Sequence, residues 1–328
     1  MLTRRRLIAA SAVVALPAPL RVPLPARADT WPSKPIKLVV PYAPGGTTDV
    51  VGRMIGEYLG RQLGQNIVVE NRPGKGATIG TAQVAKAAPD GYTLVMSNVA
   101  AQAISPALYG DLDYDPLRDF VHITLASLNP SVLVVHPSFP AQILADYIAY
   151  ARANPDKLAF ATSGPGSSNH ILGTLTGQVT GTRLVHVPYR GAGPAMQDTI
   201  AGIVPSMFDS LPSAAPHIRA GKVRALAISG EKRSAAFPDV PTMKESGYPA
   251  LVSYSWFGLS APAKTPAPIV ERIAREMQVV LKLPVVVKRW EEIGAESSTM
   301  TPAEYGAFVK AELEKWSPVV KASGARPE

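Results

Sequence analysis

The densest group of residues able to do chemistry is Pro41-Tyr42-Ala43-Pro44-Gly45-Gly46-Thr47-Thr48-Asp49. It follows a β-branched run at 36–40 and opens an apolar-periodic segment at 47–63. Two adjacent glycines let the backbone turn sharply and leave N–H groups exposed. A helix beginning there has unpaired first-turn amides and a partial positive charge at that end. Thr47 or Thr48 is the expected cap. The chemistry on offer is anion binding by backbone amides, which requires no arginine. The competing reading is a capped helix after a glycine turn that holds no ligand.

Two further loops have the same ingredients. Thr162-Ser163-Gly164-Pro165-Gly166-Ser167-Ser168-Asn169-His170 follows a strand-like run at 158–161, and Pro188-Tyr189-Arg190-Gly191-Ala192-Gly193-Pro194 also lies between a strand and a helix pattern. Ligands of open α/β sheets sit beyond the carboxyl ends of strands. Several such loops in two halves of one chain suggest helix starts facing each other across a cleft, suited to a molecule with a carboxylate at one or both ends. Four or five hydrogen bonds to a charged group, each about 1.5–3 kcal/mol, reach the roughly 8 kcal/mol of micromolar affinity. Asp49 either orients water or a ligand ammonium, or stabilises its helix start. Asp209, at the end of a run at 204–208, is a loop carboxylate or a ligand contact. His170 holds its loop or touches ligand.

Catalytic alternatives find little support. Gly74-Lys75-Gly76-Ala77-Thr78-Ile79-Gly80 has the spacing G-x-G-x-x-x-G, which departs from the dinucleotide fingerprint. No Walker loop, G-x-S-x-G elbow or H-E-x-x-H is present, and with no cysteine there is neither thiol catalysis nor a thiolate metal site. His122, His136, His170, His186 and His217 are too scattered to argue for a metal. No catalytic residue, metal or cofactor is therefore expected.

The elements that must position these loops alternate. Strands are expected at 36–40, 67–70, 93–96, 132–135, 158–161, 183–187, 204–208 and 224–228. Helices are expected at 47–63, 77–87, 142–153, 168–179 and 194–200, with a mainly helical end at 268–281, 284–293 and 302–320. Such alternation predicts α/β architecture with parallel sheets covered by helices. In 47–63, Val51, Met54, Ile55, Tyr58, Leu59 and Leu63 form one stripe at helical spacing. Gly52, Gly56, Gly60 and Gly64 recur every four residues, which permits close packing of another backbone.

Residues 1–28 carry Arg4, Arg5, Arg6, Arg21 and Arg27 with no acid, a ten-residue apolar run from Leu7 and a small-x-small Ala26-Arg27-Ala28. This is the pattern of a signal peptide, and Thr3-Arg4-Arg5-Arg6-Leu7 leaves both the general and the twin-arginine export routes open. Taking those five arginines from the +8 of the whole chain leaves +3, so the basic pI of about 9.6 does not argue for nucleic acid. About 300 mature residues bury enough surface for two domains without disulfides, and the expected product is soluble and exported.

The same loops carry a family resemblance. Tyr42 to Asp49, Glu70-Asn71-Arg72-Pro73-Gly74, Ala88-Pro89-Asp90-Gly91-Tyr92-Thr93-Leu94, Ser163 to His170, His186-Val187-Pro188-Tyr189-Arg190-Gly191, and Pro212-Ser213 with Ile218-Arg219-Ala220-Gly221-Lys222 resemble, in order, the Bug receptors. These are the TctC-like solute-binding proteins of tripartite tricarboxylate transporters. The resemblance implies a two-domain periplasmic-binding-protein fold (type II-like) with a hinged cleft, built from 29–126 plus 252–328 and from 127–251. It implies ligand contacts at Tyr42, Ala43, Gly45, Gly46, Thr47, Asp49, Ser97, Asn98, Ser163, Gly164, Ser167, Ser168, His170 and Asp209. It implies a monomeric, non-catalytic periplasmic receptor for a small organic carboxylate: a dicarboxylate, a citrate-like acid, an acidic amino acid or an aromatic acid. The partners would be membrane permease subunits, with no nucleic acid. A receptor feeding a two-component sensor kinase, or an enzyme on a similar fold, are the other readings.

Overall fold

The computed structural model describes residues 31–325; the signal peptide expected at 1–28 lies outside the described residues. The first half runs β1 (Ile36–Val40), α1 (Thr47–Leu63), β2 (Ile67–Asn71), α2 (Thr78–Ala85), β3 (Thr93–Asn98), a π-helical turn (Ala100–Ile104) leading into α3 (Ser105–Tyr109), and β4 (Phe120–Val135). Then come α4 (Leu144–Ala153), β5 (Ala159–Thr162), α5 (Ser168–Thr180), β6 (Val185–Pro188), α6 (Ala192–Ile200), β7 (Ser206–Ser210), α7 (Leu211–Arg219) and β8 (Arg224–Ile228). The chain closes with β9 (Tyr254–Pro262), α8 (Ala267–Val280), α9 (Pro284–Ile293), β10 (Glu296–Ser297) and α10 (Pro302–Ser323).

The strand order is β2-β1-β3-β9-β4-β7-β5-β6, with β8 and β10 also paired to β4. The expected parallel pairing holds for β2-β1-β3 and for β6-β5-β7. Between these two parallel wings stands an antiparallel centre, which alternation alone did not predict. β4 runs 16 residues, pairs with β9 as far as Pro130 opposite Tyr254, and pairs with β7 from Ser131 opposite Ser210. Pro130 has no N–H to give to a ladder, so it fits where a strand changes partners and not in the middle of one.

α1 has the predicted limits. Val51, Ile55, Leu59 and Leu63 are buried, each contributing about 1.5–3 kcal/mol. That exceeds the roughly 1 kcal/mol that each interior glycine costs in helix propensity. The glycines have a packing reason: a Cβ on Gly52 would lie 2.9 Å from Val40 Cγ2, and one on Gly60 would lie 3.0 Å from the Gln65 carbonyl. Gly64 is not part of that face. It ends the helix in the left-handed conformation (φ 71°), and its N–H caps the carbonyls of Gly60 and Arg61.

The first wing's core joins Ile36, Leu38 and Val40 of β1 to the buried faces of α1, α8 and α9. The second wing has cores on both faces of its sheet, around Phe160 and Phe208 on one side and Val132 and Met207 on the other. α10 is anchored by Glu312, whose Oε2 accepts from Trp256 Nε1 at 2.9 Å and Trp316 Nε1 at 2.8 Å.

Candidate functional site

Where the loops of the two wings meet there is a small cavity of about 30 Å³, room on the order of two waters. Its first-wing side is Tyr42, Gly46, Thr47, Thr48, Asn98, Val99, Ala100 and Phe257; its second-wing side is Ser163, Ser167, Ser168, Asn169, Ala192, Asp209 and Ser210. The starts of four helices converge there: α1 at Thr47, α5 at Ser168, α6 at Ala192 and α7, whose cap is Ser210. Each start carries unpaired amides and partial positive charge. Among the described residues no lysine, arginine or histidine lines the cavity, and the only acid that does is Asp209. The arrangement can hold negatively charged oxygen atoms by peptide nitrogens and hydroxyls.

α1 differs from expectation in its cap. Gly46 occupies the cap position with extended backbone and no side chain closes the first turn. Thr47 is turned to the other wing: its Oγ1 lies 2.8 Å from Ser213 Oγ and accepts from Ser213 N at 3.2 Å. The first-turn amides are therefore left without a side-chain cap. Ser167 does cap α5, accepting from His170 N at 3.1 Å, and Ser168 Oγ lies 2.7 Å from Ser255 Oγ. Asn98 accepts from Ala101 N at 3.1 Å and so organises the π-helical turn behind the cavity.

Eight of the fourteen sequence-predicted site residues line the cavity: Tyr42, Gly46, Thr47, Asn98, Ser163, Ser167, Ser168 and Asp209. The other six do not line it. Asp49 Oδ2 accepts from Gly45 N at 3.0 Å and Arg53 Nε at 3.0 Å, and Oδ1 accepts from Asn71 Nδ2 at 2.9 Å. Burial pushes this carboxyl up, but the bonds from Arg53, Gly45 and Asn71 outweigh it and hold the group below its ordinary value. Asp49 thus braces the glycine loop, and Gly45 takes the positive φ of 89° that the turn needs. Ser97 lies in a buried chain with Tyr305 Oη at 2.8 Å and Ser260 Oγ at 3.0 Å. His170 Nδ1 accepts from Gly166 N at 3.3 Å, and its ring stacks on His186 at 4.0 Å. Gly164 donates to Thr162 Oγ1 at 3.1 Å. Ala43 N donates to the Arg190 carbonyl at 3.4 Å, across the cleft.

Thr48, Val99, Ala100, Asn169, Ala192, Ser210 and Phe257 line the cavity without having been named as ligand contacts. Ala192 lies in the third glycine loop, so the signal for it was present. Phe257 comes from β9, whose aromatic run Tyr254-Ser255-Trp256-Phe257 was the available strand signal.

The wings touch directly around the cavity. A Cβ on Gly193 would fall 2.1 Å from the Pro44 carbonyl, and one on Gly46 would fall 3.2 Å from Ala192 Cβ. On another edge, Tyr109 Oη donates to the Pro165 carbonyl at 3.4 Å. Among the described residues no helix is long and apolar enough to cross a membrane, and no group of three or more His, Cys, Asp or Glu residues is arranged to hold a metal.

Comparison with known proteins agrees with this architecture. Residues 51–325 match the family model described as tripartite tricarboxylate transporter family receptor, TctC. Protein BugT of Bordetella pertussis is 39% identical over 303 residues, covering 92% of this chain and 93% of that protein. The R. palustris protein Rpa4515, solved with adipate, superposes with a TM-score of 0.88 at 34% identity, covering 91% of this chain and all of that one. MatC from Rhodopseudomonas palustris, solved with bound malate, gives 0.84 at 34% identity, covering 88% and 100%. The two-wing α/β structure is the periplasmic-binding-protein fold, and the matching family is one of solute-binding receptors, not enzymes. The chain belongs to the TctC (Bug) family of periplasmic solute-binding receptors.

Proposed function

We propose that this receptor captures a C4–C6 organic acid carrying one or two carboxylates and closes its wings over it. The observation that carries the reading is the convergence of four helix starts on a cavity without a cationic side chain. Backbone amides in that arrangement bind a carboxylate through charge-assisted hydrogen bonds. The adipate and malate bound to two relatives support the ligand class.

The contacts proposed are those at Tyr42, Gly46, Thr47, Asn98, Ser163, Ser167, Ser168 and Asp209. Ala43, Gly45, Asp49, Ser97, Gly164 and His170 support them. The division into 29–126 plus 252–328 and 127–251 belongs to the same proposal. It is supported by the change of partners along β4 between Pro130 and Ser131. Closure is favoured because the closed state adds second-wing contacts to the same carboxylate. The signal-like leader supports export to the periplasm, and family membership supports delivery to the membrane subunits of a tripartite tricarboxylate-type transporter.

A calorimetric panel of malate, succinate, adipate, citrate, aspartate and terephthalate tests the reading. Malate, succinate, adipate or aspartate is expected to bind with a micromolar or tighter Kd, and binding of citrate or terephthalate alone would contradict the size and charge proposed. No heat with any of them would overturn the assignment.

A further inference from the structure

Asp209 is the one acid in a cavity otherwise arranged for an anion. It is 1% exposed. Its Oδ1 accepts from Ser210 N at 2.8 Å, and its Oδ2 accepts from Ser213 Oγ at 2.7 Å. No cation or second acid among the described residues faces it from the elements packed around it. α1 presents Thr47 and Thr48, while its Asp49 and Arg53 are engaged with each other. α5 presents Ser168 and Asn169, while His170 turns to Gly166 and His186. α7 presents Ser213 and carries His217 and Arg219 in its last turn; β4 places Val132 opposite.

Two carboxylates enclosed together cannot both stay ionised, because each disfavours the charge of the other and burial disfavours both. The helix starts supply backbone partial charge only. No side-chain cation among the described residues lies against Asp209 to balance it once a ligand carboxylate is enclosed beside it.

We propose that ligand capture is proton-linked: as the wings close on a carboxylate, Asp209 takes one proton from water and its O–H donates to a ligand oxygen. This deepens, and rests on, the carboxylate reading above. The balance is one ligand carboxylate and one proton entering the cavity, with Asp209 passing from acceptor-only to donor. Burial already pushes Asp209 up to about 7 in this structure, against the hydrogen bonds from Ser213 and Ser210. A ligand anion pushes it in the same direction. The folded value is raised, so the contribution of Asp209 to stability is fully present below its unfolded value and is lost as pH rises toward about 7. Opening the wings relieves the buried charge.

The test is titration of the full mature chain with malate, adipate, succinate and aspartate at several pH values between 6 and 9. Each titration is repeated in two buffers of different ionisation enthalpy. Wild type should take up close to one proton per ligand above pH 7, and affinity should fall about tenfold per pH unit there. Asp209→Asn should abolish the uptake and flatten the pH profile. The two-buffer measurement on wild type needs no variant, so a misfolded Asp209→Asn leaves the proposal exposed to refutation. Binding without proton uptake overturns it while leaving the carboxylate reading intact. Tighter binding of aspartate than of succinate, lost in Asp209→Asn, also overturns it, because Asp209 would then be an ionised partner of an ammonium. No binding by any acid overturns both readings.

Discussion

Thr47, the first residue of α1, and Ser213, in the first turn of α7, join the two wings directly: their hydroxyl oxygens are 2.8 Å apart, and Ser213 N donates to Thr47 Oγ1 at 3.2 Å. Ser213 Oγ also donates to Asp209 Oδ2 at 2.7 Å. One small side chain therefore connects the helix start of one wing to the buried acid of the other.

Thr47→Val keeps the shape and removes the hydroxyl. Each neutral hydrogen bond lost contributes about 1 kcal/mol, so affinity for the best acid should fall about five- to thirtyfold by calorimetry. Thr47→Ser should restore most of it. Equal affinity in Thr47→Val and wild type would mean that this contact does not assist closure.

Gly193→Ala tests the close approach of the wings. The added Cβ would sit 2.1 Å from the Pro44 carbonyl, so the wings must stay apart. Affinity should drop by about a hundredfold or more, with the circular dichroism spectrum unchanged. Gly306→Ala in α10, where a Cβ meets nothing within 4 Å, is the control and should bind as wild type does.

Asp49 gives a pH prediction of the opposite sign to Asp209. Its carboxyl is held below its ordinary value by the bonds from Arg53, Gly45 and Asn71, so its contribution is present above the unfolded value and disappears as pH falls through the folded one. In urea unfolding from pH 6 down to 3, Asp49→Asn should lose less stability than wild type. Parallel curves would show that the bonds to Arg53, Gly45 and Asn71 add nothing to stability.

Much of the architecture was legible where one rule acted alone. α1 showed its limits because the stripe Val51, Ile55, Leu59 and Leu63 is periodic and Gly64 supplies the left-handed stop. The loops at Gly45, Gly164 and Gly191 could be found because a strand-to-helix turn with glycine is a local feature. The centre of the molecule was hidden where local signals conflict with tertiary context. Asn129-Pro130 reads as a break, yet β4 continues through it by exchanging β9 for β7. Pro212 and Pro216 argue against a helix, yet α7 forms, with Pro212 in its first turn, where a missing N–H costs little. With β9 unrecognised, Phe257 could not be assigned to the cavity. The roles of Asp49 and Asp209 look alike in sequence. They separate only when one is seen to meet Arg53 and the other, among the described residues, to meet no cation.

The most direct measurement is a crystal structure of the mature chain with malate or adipate bound. A carboxylate is expected between the wings, its oxygens within hydrogen-bonding distance of the first-turn amides of α1 and α5 and of Asp209. A ligand held by lysine or arginine side chains, or lying outside the cleft between Thr47 and Ser168, would contradict it.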